Sequence, residues 1–340
     1  MKERQFRNKI IWFTFGFSLF VVWIHSYNAE LYLGVGGMDA VYRFEHWIGD
    51  GLGQMAVPGF FMISAYLFYR NFSWEKLAPK WSSRIRSVLV PFILWNFLYY
   101  LGYVIGSRLP WMTDVVGKGV IPFNLPAAVD AVINYTYNYV FWYLYQLILL
   151  ILLAPLLYGV LRHRCTGIAF QVLLWVLLAA GVSLPELNLD ALAYYSFAAF
   201  LAIHERSLAE AAWNGRRGIV GCCLLAGAVA AFYYGLSVAR PVLFVLSRLL
   251  SVVGLWLAVP EERLPEARGF MNYNFFLYAT HFAFVRFMNK AGTRVLPAVP
   301  AAPIALYLAM PVLVLGISSV LGWGLRRLSP GVWRLLNGGR

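Results

Sequence analysis

Apolar runs recur along this chain at lengths that an ordinary soluble helix does not need. The first, Ile10 to Tyr27, reads IIWFTFGFSLFVVWIHSY, and a bilayer-crossing helix requires roughly 20 mostly apolar residues. Continuing along the chain, the pattern predicts spans over 10–27, 48–69, 88–105, 139–161, 167–183, 190–203, 219–236, 241–259, 270–288 and 304–325. The sixth is short. No repeat, soluble domain or low-complexity linker interrupts them. Only helices or closed barrels satisfy their backbone in lipid. The expected fold is therefore all-α, a polytopic transmembrane helical bundle of about ten spans, with residues 1–340 forming a single domain.

Composition agrees with the pattern. Of 340 residues, 61% are hydrophobic and only 13% charged, against ~25% charged in an average soluble domain. A net charge of +13 suggests nucleic acid until the cations are placed. They fall in the short segments between spans, where Lys and Arg hold loops on the cytoplasmic side, so no nucleic-acid partner is expected. With the N-terminus inside, 20 of the 28 Lys and Arg lie in cytoplasmic segments and six outside. That asymmetry predicts cytoplasmic termini and a multi-pass protein of the inner (cytoplasmic) membrane, in contact with its lipids. The three cysteines, Cys165, Cys222 and Cys223, show no CxxC or Cys/His spacing, so neither a disulfide framework nor a metal site is expected.

Polar residues inside the spans carry the chemical information. His25 is the one ionisable side chain of the first span. An intramembrane imidazole is a functional candidate by default, with an interfacial marker of the membrane exit as the plain alternative. Orientation places His25, Arg248 and Arg286 in the outer half of the membrane, with His281 nearer its middle. Gln146 begins the fourth span and Asn96 is midway along the third. Arg facing lipid at a span centre is disfavoured by at least ~2.5 kcal/mol, so an internal polar cavity opening outward is expected, with snorkelling to the interface as the alternative. No acid lies within a span core, which argues against a proton-coupled transporter. Asp50, at the mouth of the second span, is placed to orient an imidazole, and the other outer acids read mostly as solvated loop charges. Pro58-Gly59 interrupts the second span, either lining the cavity or serving packing. Arg84 and Arg86 close a basic loop over 70–87; they are topogenic charges or a phosphate-binding pair, since guanidinium matches phosphate geometry.

Five segments in order then resemble one family. The first span with His25, VPGFFMISAYLF (Val57 to Phe68), SRIRSVLVPFILWN (Ser83 to Asn96), FWYLYQLILLILLAP (Phe141 to Pro155) and FFLYATHFAFVR (Phe275 to Arg286) are similar to the motifs of the acyltransferase 3 family, integral-membrane O-acyltransferases of bacterial surface glycans. The chain departs from the family pattern at Thr14, Gln54, Ala65 and Ser87, positions where a basic residue, a basic residue, Gly and Arg are usual. The resemblance implies transfer of an acyl group, acetyl being expected, from cytoplasmic acyl-CoA to a hydroxyl of a surface polysaccharide or lipid-linked glycan. His25 would be the general base, and no bound cofactor is implied beyond acyl-CoA as donor substrate. Arg84 and Arg86 would hold the CoA phosphates, while Arg248, Arg286, Gln146, His281 and Asp50 are candidates for substrate or oxyanion contacts. Ile10 lies fifteen residues before His25, about 22 Å of helix, so the donor thioester must thread into the bundle or the acyl group be relayed. The rival reading is a transporter or flippase for a lipid-linked sugar or anionic solute, which would use the same cavity without chemistry. A non-catalytic partner in polysaccharide assembly is a third.

Overall fold

The computed structural model describes residues 1–339, apart from the side chains of Asp114 and Val115. The readings of Asp114 as a solvated charge and of Arg340 as a cytoplasmic cation fall outside the described residues. No strand occurs among the described residues. The helices are α1 (Glu3–Ile24), α2 (Ala29–Leu33), α3 (Asp39–His46), α4 (Ala56–Tyr69), α5 (Leu77–Arg84) and α6 (Val90–Gly106), then α7 (Thr113–Val116), α8 (Leu125–Ile133), α9 (Trp142–Leu152), α10 (Ala154–Leu161), α11 (Arg164–Ala179) and α12 (Leu189–His204). They continue as α13 (Arg206–Ala209), α14 (Gly215–Val238), α15 (Pro241–Ala258), α16 (Asn274–Val295), α17 (Ala301–Leu328) and α18 (Pro330–Leu336).

Every stretch read as a span contains a helix. Among the described residues, six helical segments are long and apolar enough to cross a bilayer: Glu3–Leu33, Asp39–Tyr69, Trp74–Gly106, Gly215–Val238, Pro241–Ala258 and Ala301–Leu328. A seventh arises if Tyr139–Leu152 and Ala154–Leu161, bent by 61°, form one broken span. The bend falls where Pro155 removes an amide donor and crowds the preceding turn. Helices α11 and α12 have 16 residues each, about 24 Å, short of the ~30 Å hydrocarbon core.

Several local expectations are revised. The interruption of the second span lies upstream of Pro58, in a π-helical turn over Trp47–Leu52 and a 3-10 turn over Gly53–Met55. Pro58 is the third residue of α4, and its ring crowds the carbonyl four residues back, that of Gln54 in the 3-10 turn. Gly59 is required for packing, because a side chain there would occupy the space of the Phe17 ring. The basic loop is largely helical: α5 continues through a π-helical Ile85–Leu89 into α6. Helix α16 runs on to Val295, so Lys290 and Arg294 stand on its last turns and not in a loop.

Two compact units organise the chain. The first comprises Met1–Phe17, Gly51–Lys80 and Leu149–Met271, the second Ser18–Asp50, Trp81–Ile148 and Asn272–Arg340. In the first unit α14 and α15 meet backbone to backbone. The buried positions of α14 are Gly221, Ala228 and Gly235, and a Cβ on Gly221 would stand 2.7 Å from the Gly254 carbonyl oxygen. Small residues at such a seam allow close packing, the main source of helix association in lipid. Ser247 adds a hydrogen bond, its Oγ donating to Ala228 O at 2.7 Å.

Several charges in the first unit are paired. Arg70 donates to both Glu3 (Nη2–Oε2 2.7 Å) and Glu210 (Nε–Oε1 2.7 Å), and Glu210 also accepts from Tyr66 and Arg206. Lys9, one of the four cations before the first span, is 2% exposed. It donates to Val259 O at 2.6 Å and lies 3.7 Å from the buried Glu261.

The core of the second unit joins Val22 and Tyr32 to Leu277, Val285, Ala302, Leu306, Met310 and Val314, tying the end of α1 and α2 to α16 and α17. The loop over 106–138 folds onto α6. Ile121, Ala131, Tyr100 and Val104 form a second cluster, and Tyr100 OH donates to Pro122 O at 2.9 Å.

Candidate active site

Helix α1 ends at Ile24, and its last turn tightens into i→i−3 bonds, His25 N to Val22 O and Ser26 N to Trp23 O. Ser26 Oγ donates to Val22 O at 2.5 Å, competing for the carbonyl that would continue the helix. His25 is thereby placed at the first non-helical position. Beyond it, the backbone N–H groups of Asn28 and Ala29 donate to the Glu45 carboxylate at 3.2 Å. Glu45, expected as a solvated loop charge, is 1% exposed; it satisfies the orphan donors that open α2.

Around His25 the second unit assembles three other elements. Tyr139, in the turn before α9, places its hydroxyl 3.0 Å from His25 Nδ1. From α16 come His281, whose ring lies 5.2 Å from that of His25, and Phe282, at 5.9 Å. Phe282 also packs edge-on against Tyr139 at 4.7 Å and carries the Arg286 guanidinium over its face at 5.6 Å. Arg286 Nη1 donates to Tyr103 OH of α6 at 2.5 Å. Phe282 and Arg286 are one helical turn apart and Tyr278 one turn earlier, so one face of α16 lines the cluster. His25, His281 and Arg286, distant in sequence, are thus brought together.

His281 is fully buried, and its Nδ1 lies 2.5 Å from Tyr278 O. A carbonyl only accepts, so Nδ1 carries the proton and Nε2 bears the lone pair in the neutral ring. That nitrogen has no hydrogen-bond partner among the described residues.

Asp50 is committed to a different imidazole. Its Oδ2 lies 2.6 Å from His46 Nδ1, and its Oδ1 accepts from Tyr27 OH at 3.0 Å. Tyr27 stacks on His46 with centroids 4.3 Å apart. Gln146 is buried on α9. Arg84 ends α5 and Arg86 stands exposed in the π-helical turn that follows. Arg248 belongs to the first unit, within electrostatic reach of Asp190 and Tyr194 on α12. Asp190, read as a charge at a span mouth, therefore has a cation beside it. Thr14 bonds back to its own helix, its Oγ1 donating to Ile10 O at 2.9 Å.

The residues that sequence reasoning missed are Tyr139, Phe282 and Tyr103. Phe282 was recoverable from the i, i+4 spacing to Arg286; Tyr139, 114 positions from His25, carried no signal. An apolar cavity of about 230 Å³ lies in the first unit, walled among others by Phe13, Phe17, Met62 and Trp256. Its lining holds no charged side chain, so it offers dispersion contacts and nothing to activate a nucleophile.

Comparison with known proteins bears on the whole constellation. A family model described as an acyltransferase domain, acyltransferase 3, matches residues 15–323. The match takes in α1 from its middle onward and all of α16, and with them every member of the His25 cluster. Curated proteins gave no match, and solved structures gave none. With the model running over nearly its full length, this helical chain belongs to the acyltransferase 3 family.

Proposed function

We propose that the protein is a membrane O-acyltransferase that moves an acyl group, acetyl by preference, from cytoplasmic acyl-CoA to a hydroxyl of a surface polysaccharide or lipid-linked glycan. The observation that carries this reading is the imidazole of His25, held through Nδ1 by Tyr139 and packed beside His281 and Phe282, whose ring carries Arg286 on its face, in a chain of an acyltransferase family. In the reaction, the acceptor oxygen attacks the thioester carbonyl while His25 takes the hydroxyl proton at Nε2. The C–S bond breaks, CoA leaves as the thiolate, and the imidazolium returns the proton to sulfur. Such general-base assistance is typically worth 10²–10⁴-fold. For Nε2 to be the base, Nδ1–H must donate to the Tyr139 oxygen, since the bond made by one ring nitrogen sets the state of the other. Arg286 is the cation for the developing oxyanion, and Arg84 and Arg86 bind the donor phosphates.

The test is direct turnover by the protein purified into nanodiscs, given acyl-CoA and a glycan acceptor. His25→Ala should abolish transfer while CoA binding and folding persist. Full turnover by His25→Ala removes the catalytic assignment, and absence of any acylated product with wild type favours transport over chemistry. Arg84→Ala with Arg86→Ala should weaken acyl-CoA binding, most visibly at low salt, because phosphate contacts are screened by ions.

A further inference from the structure

Two buried asparagines in the second unit have amide groups that make no hydrogen bond among the described residues. Asn96, on α6, is 1% exposed and Asn138, just before the Tyr139 turn, is 0% exposed; neither Nδ2 nor Oδ1 of either has a partner. Buried side-chain amides are nearly always satisfied, and an exception calls for an explanation. His281 Nε2 is a third such atom.

These groups come from three elements that touch. Phe141 stacks on Tyr278 of α16 at 5.3 Å and on Phe92 of α6 at 6.2 Å. Phe141 N donates to Asn138 O at 2.9 Å, and Tyr99 OH of α6 donates to Ala279 O of α16 at 2.9 Å. Phe92 is one turn before Asn96 on the same helix. The unpaired amides therefore converge on the region where α6, α16 and the 138–141 turn pack, with His281 at the side nearest His25.

An asparagine side chain offers N–H donors and one carbonyl acceptor, the complement of a secondary amide. The pantetheine arm of CoA carries a pair of secondary amides between its phosphates and its thiol. We propose that Asn96 and Asn138 form a binding track for those amides, conducting the acyl thioester from Arg84 and Arg86 to His25. Asn96 lies ten residues beyond Arg86 on one continuous helical stretch, Trp74–Gly106, a rise of about 15 Å. An extended arm crosses that distance with its phosphates still at the guanidinium pair. The track rests on the acyl-CoA reading and answers how a donor entering at one end of α6 reaches an imidazole near the other.

The experiment measures calorimetric affinity of the full-length protein in nanodiscs for CoA and for 3′,5′-ADP, which keeps the nucleotide with one phosphate at each of the 3′ and 5′ positions but lacks the arm and the outer phosphate that joins it. Asn96→Leu and Asn138→Leu are near-isosteric and remove polar groups that have no protein partner, so the ligand-free melting temperature should stay level or rise. Each variant should weaken CoA by about tenfold and leave 3′,5′-ADP binding unchanged. Wild-type affinity for CoA in both variants overturns the track and leaves the amides as sites for buried water. Equal weakening of both ligands overturns it as well, by exposing a general effect on the fold. Wild type that binds no CoA overturns the donor reading and the track together, whereas loss confined to the variants upholds both.

Discussion

At His25 the question is what holds the ring, because a general base needs a fixed tautomer as well as a suitable location. Tyr139 is the group that touches it, at 3.0 Å from Nδ1. Tyr139→Phe keeps the ring packed against Phe282 and removes only the oxygen. With Nδ1 no longer bonded, the proton redistributes between the nitrogens and the ring is freer to rotate. We expect kcat to fall about fivefold with KM nearly unchanged, the effect of one hydrogen bond of roughly 1 kcal/mol, read in the nanodisc turnover assay. An unchanged kcat would show that Tyr139 is only a neighbour. His25 itself was legible in the sequence, since an imidazole in an apolar run stands out. Tyr139 was not, being one of 21 tyrosines and brought to His25 by the path of the chain. Glu45 was misread for a related reason: a carboxylate among polar neighbours gives no sign that it will cap the backbone of a helix sixteen residues away.

Helices were legible wherever an apolar run was long, and their irregular joints were not. Pro58 marks the joint one turn late, because a proline acts on the carbonyl four residues back, here Gln54 in the 3-10 turn over Gly53–Met55. The π-helical turn over Trp47–Leu52 contains Gly49 and Gly51, which weaken regular helix without specifying what replaces it. The α14–α15 seam is the element whose sequence code is simplest, Gly221, Ala228 and Gly235 at a seven-residue interval. Gly221→Leu should force the two backbones apart and lower the melting temperature in detergent, at a cost of about 3 kcal/mol or more, whereas Gly227→Ala, on α14 with only Leu250 Cδ1 at 3.8 Å from its added Cβ, should be nearly silent. The ionic cluster at α4 and α13 makes a separate, pH-dependent prediction. Burial alone would raise the Glu210 carboxyl, but hydrogen bonds from Arg70, Arg206 and Tyr66 outweigh it and hold it below the usual glutamate range. A carboxyl depressed on folding contributes stability that is complete above its unfolded value and lost as pH falls through the folded one. Melting temperature should therefore drop on acidification through and below the glutamate range, and Glu210→Gln should flatten that part of the profile while lowering stability at neutral pH.

For the molecule as a whole, the proposed reaction scheme depends on which ends of the helices face the cytoplasm. If Arg84 and Arg86 meet a cytoplasmic donor, the loop between α6 and α9 must face outward and the turn between α12 and α14 inward. Charge asymmetry predicts that orientation, and the structure shows where to place reporters that test it. Ser107 is a poor site, 4% exposed with its Oγ accepting from Ile121 N, so labelling there would report local packing. Val120 is 71% exposed and lies in the same loop; Ser207, exposed on α13, serves the other side. Cys165, Cys222 and Cys223 are exposed and must first be changed to Ser, which also tests whether any of them is needed for turnover. In intact cells a membrane-impermeant maleimide should label Val120→Cys at once and Ser207→Cys only after permeabilisation. Labelling of both from outside, or the reverse order, would overturn the cytoplasmic donor site, because Arg84 and Arg86 precede α6 and its outer loop by a single span. The same two variants calibrate the active-site scheme. With Val120→Cys outside, the end of α6 that carries Tyr103 is outer, and so is the Arg286 side chain it holds at 2.5 Å. The acceptor proposed above, arriving from that side, would then meet Arg286 and His25 without crossing the membrane, and only the acyl-bearing arm of the donor would have to reach across.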